Sequence, residues 1–84
     1  MQSLKRLDLS HNKFTRKSAV DLSKVIKYDT YLRCLNLRAN AFDEEAVREI
    51  HDGMKNNFSI FNIDLRHNPG FTQKLHRQLA LQML

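Results

Sequence analysis

The hydrophobic positions of this chain recur with a 28-residue period. Residues 4–14, 32–42 and 60–71 share the order Leu-x-x-Leu-x-Leu-x-x-Asn, with isoleucine at two leucine positions of the third segment. The columns in this register are Leu4/Leu32/Ile60, Leu7/Leu35/Ile63, Leu9/Leu37/Leu65 and Asn12/Asn40/Asn68. A period of about 20–29 residues with this frame is typical of stacked units that each supply a strand and then a helix. We therefore expect three strand-loop-helix repeats.

Each strand should present one apolar and one polar face, because alternate side chains of a strand point the same way. The apolar face predicts six buried residues, Leu7, Leu9, Leu35, Leu37, Ile63 and Leu65. The opposite, open face should carry the columns Arg6/Cys34/Asn62, Asp8/Asn36/Asp64 and Ser10/Arg38/Arg66, joined at its rim by His11/Ala39/His67.

Between the strands the apolar period becomes helical. This pattern predicts a helix over residues 16–28 with Thr15 as N-cap, and another over 44–55 with Asp43 as N-cap. In the third unit, Pro69 and Gly70 add one residue to the loop and mark a turn. The last segment forms a stripe from Leu75, Leu79, Ala80 and Met83, whereas Leu81 and Leu84 fall beside it and are expected to contact further sequence.

Length limits the chain of 84 residues to one domain, with repeats at about 4–31, 32–59 and 60–84. A stacked repeat buries its apolar face only against its neighbours, so roughly three units are a minimum. Neither end shows a separate polar capping unit. We therefore expect a fragment of a longer array, whose neighbouring repeats would be its first partners.

The composition favours the cytoplasm. A single cysteine excludes an intramolecular disulfide and suits a reducing compartment. No apolar run approaches the roughly 20 residues that span a bilayer, and the first ten residues lack the apolar core of a signal peptide. We expect no membrane association.

The net charge of +5 lies mainly in the first repeat, since residues 1–31 hold seven Lys or Arg against three Asp. Its loop and helix carry Lys13, Arg16, Lys17, Lys24 and Lys27. A solvated convex face explains this excess most simply. Binding of nucleic acid or of an acidic surface is the alternative.

Catalytic and cofactor sites find little support. Gly53 and Gly70 do not form a phosphate-binding loop, and Cys34 has no base nearby in the register. His11 and His67 lie two strand spacings apart, about 10 Å, which is too far for one metal ion. We predict a protein that is not an enzyme and has no cofactor and no metal.

The three copies of the frame resemble the ribonuclease-inhibitor type of leucine-rich repeat, with 28-residue units of strand, loop and full helix. The closing segment IDLRHNPGF is similar to the end of the repeat array in the family of the seventy-eight-kilodalton centrosomal protein. This resemblance implies an α/β solenoid with a short parallel sheet on its concave face. It also implies an assembly at the centrosome or cilium base.

The same resemblance implies a structural role for Asn12, Asn40 and Asn68, whose amides would bond the backbone of their own loop and of the adjacent repeat. We expect Asn40 to contribute most, because its loop has neighbours on both sides. Ran GTPase-activating proteins share the architecture, so regulation of a GTPase or another enzyme through Arg38 or Arg66 is a second alternative.

The leading functional prediction is a protein-binding scaffold. Solenoids generally bind partners on their extended concave surface. The predicted contact residues, centred on two arginines, are Arg6, Asp8, Asn36, Arg38, Asp64 and Arg66. Their mixed polarity suits a protein partner of unknown identity better than a phosphate backbone, so nucleic acid is unlikely.

Overall fold

The computed structural model of the chain describes residues 5–55 and 57–82, with the side chains of 76 and 79–82 excepted. Strands and helices alternate along it: β1 (Arg6–Asp8), α1 (Arg16–Tyr28), β2 (Cys34–Asn36), α2 (Glu44–Met54), β3 (Asn62–Asp64) and α3 (Gln73–Gln82).

The three strands form one parallel sheet in the order β1-β2-β3. Leu7 pairs with Leu35 and Leu35 with Ile63, so neighbouring strands are offset by one full repeat, as the sequence predicts. The α/β class with three parallel strands is confirmed. The alternation of short strands and longer helices is compatible with a solenoid.

The six predicted core residues divide into two groups. Leu35, Leu37 and Leu65 are buried, whereas Leu7, Leu9 and Ile63 are half-buried and pack against the core. The middle strand has a neighbour on each side, and β1 and β3 each have one. The prediction of burial is therefore confirmed in full for β2 and the residue after it, and only in part for the outer strands.

The first two helices follow the predicted ranges, α2 ending one residue before position 55. Asp43 caps α2, since its Oδ1 accepts a hydrogen bond of 2.8 Å from the Ala46 N–H. Thr15 occupies the N-cap of α1, as predicted, although its side chain makes no capping hydrogen bond. Close packing of the two helices depends on Gly53, where an added Cβ would lie 2.6 Å from the Ser23 carbonyl oxygen.

The loop of the third repeat accommodates one extra residue without losing the link to its neighbour. The Gly70 N–H donates to the Phe42 carbonyl at 2.8 Å, as the Ala41 N–H donates to the Phe14 carbonyl at 2.8 Å. Gly70 thus takes the place of Ala41, and Pro69 is the inserted residue.

Gly70 has no space for a side chain. A Cβ on this residue would overlap the backbone where Asp43 leads into Glu44, at the beginning of α2. The loop of the third repeat therefore packs directly on the main chain of the second.

The third helix begins with a hydroxyl cap, because Thr72 Oγ1 accepts a bond of 3.1 Å from the Leu75 N–H. Leu75 is buried, as its stripe predicts. The predicted stripe also includes Leu79, Ala80 and Met83, and Leu81 and Leu84 were expected to contact further sequence. The side chains of these five residues lie outside the described part of the chain.

Candidate functional site

The open face of the sheet, opposite the buried leucines, carries a cleft. Its volume is about 630 Å³. The polar residues that line it come from all three strands and the turn after β3: Arg6, Asp8, Cys34, Asn36, Asn62, Asp64 and Arg66.

Arg6, Cys34 and Asn62 lie side by side where the strands begin. Arg6 and Asn62 are exposed, while Cys34 is half-buried between them. This row presents a cation, a thiol and an amide to solvent. The predicted open-face position of Cys34 is thus observed.

The next row closes the turn that follows each strand. In every repeat the side-chain oxygen of an Asp or Asn accepts the backbone N–H two residues later, at 2.9–3.0 Å: Asp8 from Ser10, Asn36 from Arg38, and Asp64 from Arg66. Such turns explain why short side-chain acceptors recur at this position. The 28-residue spacing of Asp8, Asn36 and Asp64 was a signal for this role that the sequence interpretation as polar surface missed.

Asp64 and Arg66 also form an ion pair. The Arg66 Nε and Nη2 atoms donate to the two Asp64 oxygens at 3.0 and 2.8 Å. These bonds hold the pKa of Asp64 below, and the pKa of Arg66 above, their ordinary values. In the first repeat, the Ser10 hydroxyl, donating at 2.6 Å, lowers the pKa of Asp8.

The two arginines predicted at the centre of the binding surface have different surroundings. Arg66 lines the cleft, whereas Arg38 does not, and its Nη2 lies 3.0 Å from His67 Nε2. A guanidinium is a donor only, so His67 Nε2 is the acceptor in this contact. The cleft therefore has Arg6 at one end and the Asp64 and Arg66 pair at the other.

The rim residues His11, Ala39 and His67 share an unusual backbone conformation, with φ of 58°, 58° and 63°. This left-handed region is costly for residues with a Cβ. Backbone bonds hold it in place, since the His11 N–H donates to the Arg38 carbonyl and the Ala39 N–H to the Arg66 carbonyl, each at 3.0 Å.

The asparagine ladder, Asn12, Asn40 and Asn68, links the loops behind this rim. Asn40 donates from Nδ2 to the carbonyls of Leu9 and Leu37, both at 3.0 Å. Its Oδ1 accepts the N–H groups of Asn12 and Phe14 at 2.9 and 3.1 Å. One amide thus satisfies four backbone groups, two of which are donors and two acceptors.

Asn68 repeats this arrangement against the second repeat. Its Oδ1 accepts the N–H groups of Asn40 and Phe42, and its Nδ2 donates to the carbonyls of Leu37 and Leu65. The side chains of Asn40 and Asn68 therefore each bind their own loop and the loop of the preceding repeat. We expected Asn40 to contribute most to stability. Asn68 is also buried and makes the same four kinds of hydrogen bond, so the structure does not set Asn40 apart from it.

A second set of side-chain bonds, absent from the sequence interpretation, supports the opposite edge of the sheet. The Asp29 carboxylate accepts the N–H groups of Tyr31 and Leu32, at 3.1 and 2.6 Å. Its counterpart in the next repeat, Asn57, accepts those of Ser59 and Ile60, at 2.8 and 2.7 Å. The separation of Asp29 and Asn57 by one repeat period would have revealed this pair.

Asn57 also ties the second repeat to the first. Its Nδ2 donates to the carbonyls of Ile26 and Asp29 at 2.5 and 2.9 Å. Both edges of the sheet are thus held by amide side chains that reach the preceding repeat.

The basic first repeat is partly neutralised. Arg16 lies 2.7 Å from an Asp43 oxygen and 3.1 Å from a Glu45 oxygen, both at the beginning of α2. Its hydrogen bonds to Asp43 raise the pKa of Arg16 and lower that of Asp43. Arg16 therefore serves as a link between repeats.

Across the described residues, no group of three His, Cys, Asp or Glu side chains is placed to hold a metal ion. The same part of the chain contains no helix with the length and apolar character needed to cross a membrane.

Comparison with known proteins points to one repeat family. The family model described as "Leucine Rich repeat" matches residues 1–23. The chain is also 39% identical over 61 residues to the leucine-rich repeat-containing protein AAC1 of Dictyostelium discoideum. This alignment covers 71% of the chain and only 8% of the relative's length. Repeats of this kind commonly mediate protein–protein interaction, which favours a non-enzymatic binding module.

Proposed function

We propose that the chain is a protein-interaction segment of a leucine-rich-repeat solenoid of the ribonuclease-inhibitor type, and that its partner binds the open face of the sheet. The observation that carries this proposal is the cleft of about 630 Å³ on the polar face of three parallel strands. The family match at residues 1–23 supports the choice of a protein as partner.

The partner must complement a mixed surface. Arg6 and Asn62 are exposed and reach solvent at the strand beginnings, where they can bind carboxylate and backbone groups. At the other end, the ion pair of Asp64 and Arg66 leaves Arg66 N–H groups outside the pair as donors. Arg38 contacts the partner from beside the cleft, and Asp8 and Asn36 shape its floor.

The two alternatives have weaker support. A nucleic-acid surface on the first repeat would need its cations free, but Arg16 is engaged by Asp43 and Glu45. A GTPase regulator would need an arginine that can extend into another active site. Arg66 is bound to Asp64 and Arg38 contacts His67, so extension of either would break a contact.

For location, we propose the cytoplasm, at the centrosome or cilium base. The support is the likeness of the segment IDLRHNPGF to repeat arrays of centrosomal proteins. Imaging of the fluorescently tagged protein beside a centriole marker tests this. A uniform distribution without enrichment at the marker would contradict it.

The single cysteine makes the open-face site directly testable. Cys34 lies half-buried at the middle of the cleft, so a bound partner should shield it from a maleimide reagent. The tagged chain is labelled in cell extract and after dilution into buffer, and the labelling rates are compared by mass spectrometry. We expect slower labelling in extract.

A matched control moves the thiol to the helical side. In the Cys34→Ser/Lys24→Cys variant the cysteine lies on exposed α1, and its labelling rate should be the same in extract and in buffer. Protection at position 24 without protection at position 34 would place the partner on the helices. If the partner binds the open face, Arg6→Ala/Asn62→Ala should abolish the protection of Cys34. The control variant Lys17→Ala/Lys24→Ala should retain that protection.

A further inference from the structure

The amino edge of the sheet, formed by residues 29–33 and 57–61 where the chain leaves a helix and enters a strand, carries large apolar side chains in solvent. Phe58 is 95% exposed and Phe61 is 76% exposed, and Tyr31 beside them is 49% exposed. Single exposed apolar residues are ordinary, but several on one short edge indicate an interaction surface. Aromatic residues of this kind frequently dominate the affinity of an interface.

The backbone beneath these side chains is held firmly. The Asp29 and Asn57 side chains bond four N–H groups of their own loops, and Asn57 bonds two carbonyls of the preceding repeat. The Phe61 N–H also donates to the Arg33 carbonyl at 3.0 Å. A surface fixed in advance loses little conformational entropy when it binds.

A small cleft opens between the two loops, with a volume of about 290 Å³. Phe58 lines it together with two basic residues of the first and second repeats, Lys27 and Arg33. Such a cleft has room for one apolar side chain, flanked by positive charge.

The charged side chains that line this cleft give it a net positive charge. Among the side chains that the structure describes, Lys27 and Arg33 form no ion pair, and Lys27 lies over the Tyr28 ring at 5.6 Å. Asp29 lines the same cleft, but its carboxylate is occupied by the N–H groups of Tyr31 and Leu32. Two cations beside an exposed phenylalanine therefore remain available to a ligand.

We propose that the amino edge is a second interaction site, which binds an acidic peptide segment that carries an apolar side chain between carboxylates. The apolar group enters the cleft against Phe58, and the carboxylates contact Lys27 and Arg33. A phosphate backbone suits the site less well, because the described residues that line the cleft include two cations, Lys27 and Arg33, together with the carboxylate-bearing Asp29. The site is separate from the open-face cleft, with which it shares no lining residue.

Fluorescence anisotropy with defined probes tests this site. The probe is a fluorescein-labelled twelve-residue peptide of about three Asp-Phe-Glu units joined by Gly and Ser, and a second peptide has lysine at each acidic position. We expect saturable binding of the acidic peptide and at least about tenfold weaker binding of the basic one, each tenfold step being about 1.4 kcal/mol.

Three variants locate the binding. Phe58→Ser and Lys27→Ala/Arg33→Ala should each weaken binding of the acidic peptide about tenfold or more, as for residues that dominate an interface. Val20→Ser, which also removes an exposed apolar side chain but from α1, should leave it unchanged. Circular dichroism should show all three folded, because the substituted side chains are exposed.

Equal affinity of the wild type and the Phe58→Ser variant would overturn the proposal. So would equal binding of the two peptides, or tighter binding of a labelled single-stranded oligouridine than of the acidic peptide. Self-association lost in Phe58→Ser, with no peptide binding, would assign the edge to a second copy of the chain instead. None of these results affects the Cys34 protection that tests the open face.

Discussion

The two edges of the sheet use different residues to bond the backbone groups of their loops. At the carboxyl edge, formed by residues 8–14, 36–42 and 64–71, one residue type repeats and most of its bonds are buried within the stack. At the amino edge, Asp29 and Asn57 play equivalent parts but are not identical, and the neighbouring side chains point to solvent. Both edges satisfy loop backbone groups with side chains that recur once in each repeat.

The difference shows where a stacked repeat is constrained. Asn40 and Asn68 are 7% and 4% exposed, and the backbone around them has no alternative partner in water. A buried amide that accepts two bonds and donates two others cannot be exchanged for a carboxylate. At the amino edge, Asp29 only accepts and Asn57 also donates, so the edge has freedom to vary and to carry a binding surface.

The largest effect should come from Gly70 at the carboxyl edge. Gly70→Ala places a Cβ against the main chain of Asp43 and Glu44, which cannot rotate away. We expect a loss of about 3 kcal/mol in the free energy of unfolding, measured by urea denaturation. Pro69→Ala, one residue earlier at an exposed position, is the control and should cost far less.

The loss of stability on replacing a ladder asparagine should depend on its position in the stack. Asn68→Ala and Asn40→Ala each leave buried backbone groups without partners, at about 1–3 kcal/mol for the substitution. Asn12→Ala should cost least, because that side chain is exposed and donates only to the Leu9 and Ser10 carbonyls of its own loop. Equal midpoints in urea for all three variants would disprove the directional ladder.

Replacing the donors alone sharpens this test. Asn68→Asp keeps the oxygen that faces the Asn40 and Phe42 N–H groups but removes the donors to Leu37 and Leu65. It should therefore destabilise by an amount similar to Asn68→Ala.

At the amino edge a smaller loss is expected. Asn57→Asp retains the bonds to the Ser59 and Ile60 N–H groups, but brings a carboxylate against the Ile26 and Asp29 carbonyls. We expect a loss of about 1–2 kcal/mol. Asp29→Asn, which needs only an acceptor, should be nearly neutral. The comparison fails if Asp29→Asn costs as much as Asn57→Asp in the same urea experiment.

The sequence predicted the fold well because the leucine columns and the asparagines fix the strand register. It located α1 and the beginning of α2 by the helical apolar period. The turn bonds of Asp8, Asn36 and Asp64, and the pair Asp29 and Asn57, have the same spacing but are short polar residues. Their spacing was a usable signal, but their residue type alone does not separate a backbone acceptor from a solvated surface residue.

The site was harder to predict because it depends on which side chains bond to one another. Arg38 and Arg66 share a column, so their equivalence is a natural expectation, yet Arg66 bonds a carboxylate in its own strand turn and Arg38 has Asn36 there instead. One difference between aspartate and asparagine thus separates their surroundings. Likewise, Arg16 belongs to a basic run in the sequence but bonds two acids of the second repeat.

A modest gain in stability should follow from relieving the strained rim. Ala39 has a φ of 58°, which a residue without Cβ adopts readily. Ala39→Gly should stabilise the fold by about 0.5–1 kcal/mol, since the relief exceeds the added entropy of the unfolded chain. Ala41→Gly, two residues later and without positive φ, should destabilise it. Differential scanning calorimetry would show the opposite shifts in Tm.

The smallest effect is a pH dependence that comes from three aspartates in or next to the carboxyl edge. The pKa values of Asp8, Asp43 and Asp64 are all lowered, for Asp43 chiefly by its bonds to Arg16. A carboxylate with a lowered pKa in the folded state stabilises fully above its unfolded pKa, about 3.9. That contribution is lost as pH falls through the folded pKa, because both states are then protonated.

Asp43→Asn keeps a capping oxygen for the Ala46 N–H and removes the charge. Wild type should therefore have the higher urea midpoint at pH 7, and the two midpoints should converge as the pH falls below about 3.9. A difference that stays constant from pH 7 to pH 3 would show that the ion pair of Asp43 with Arg16 does not stabilise the fold.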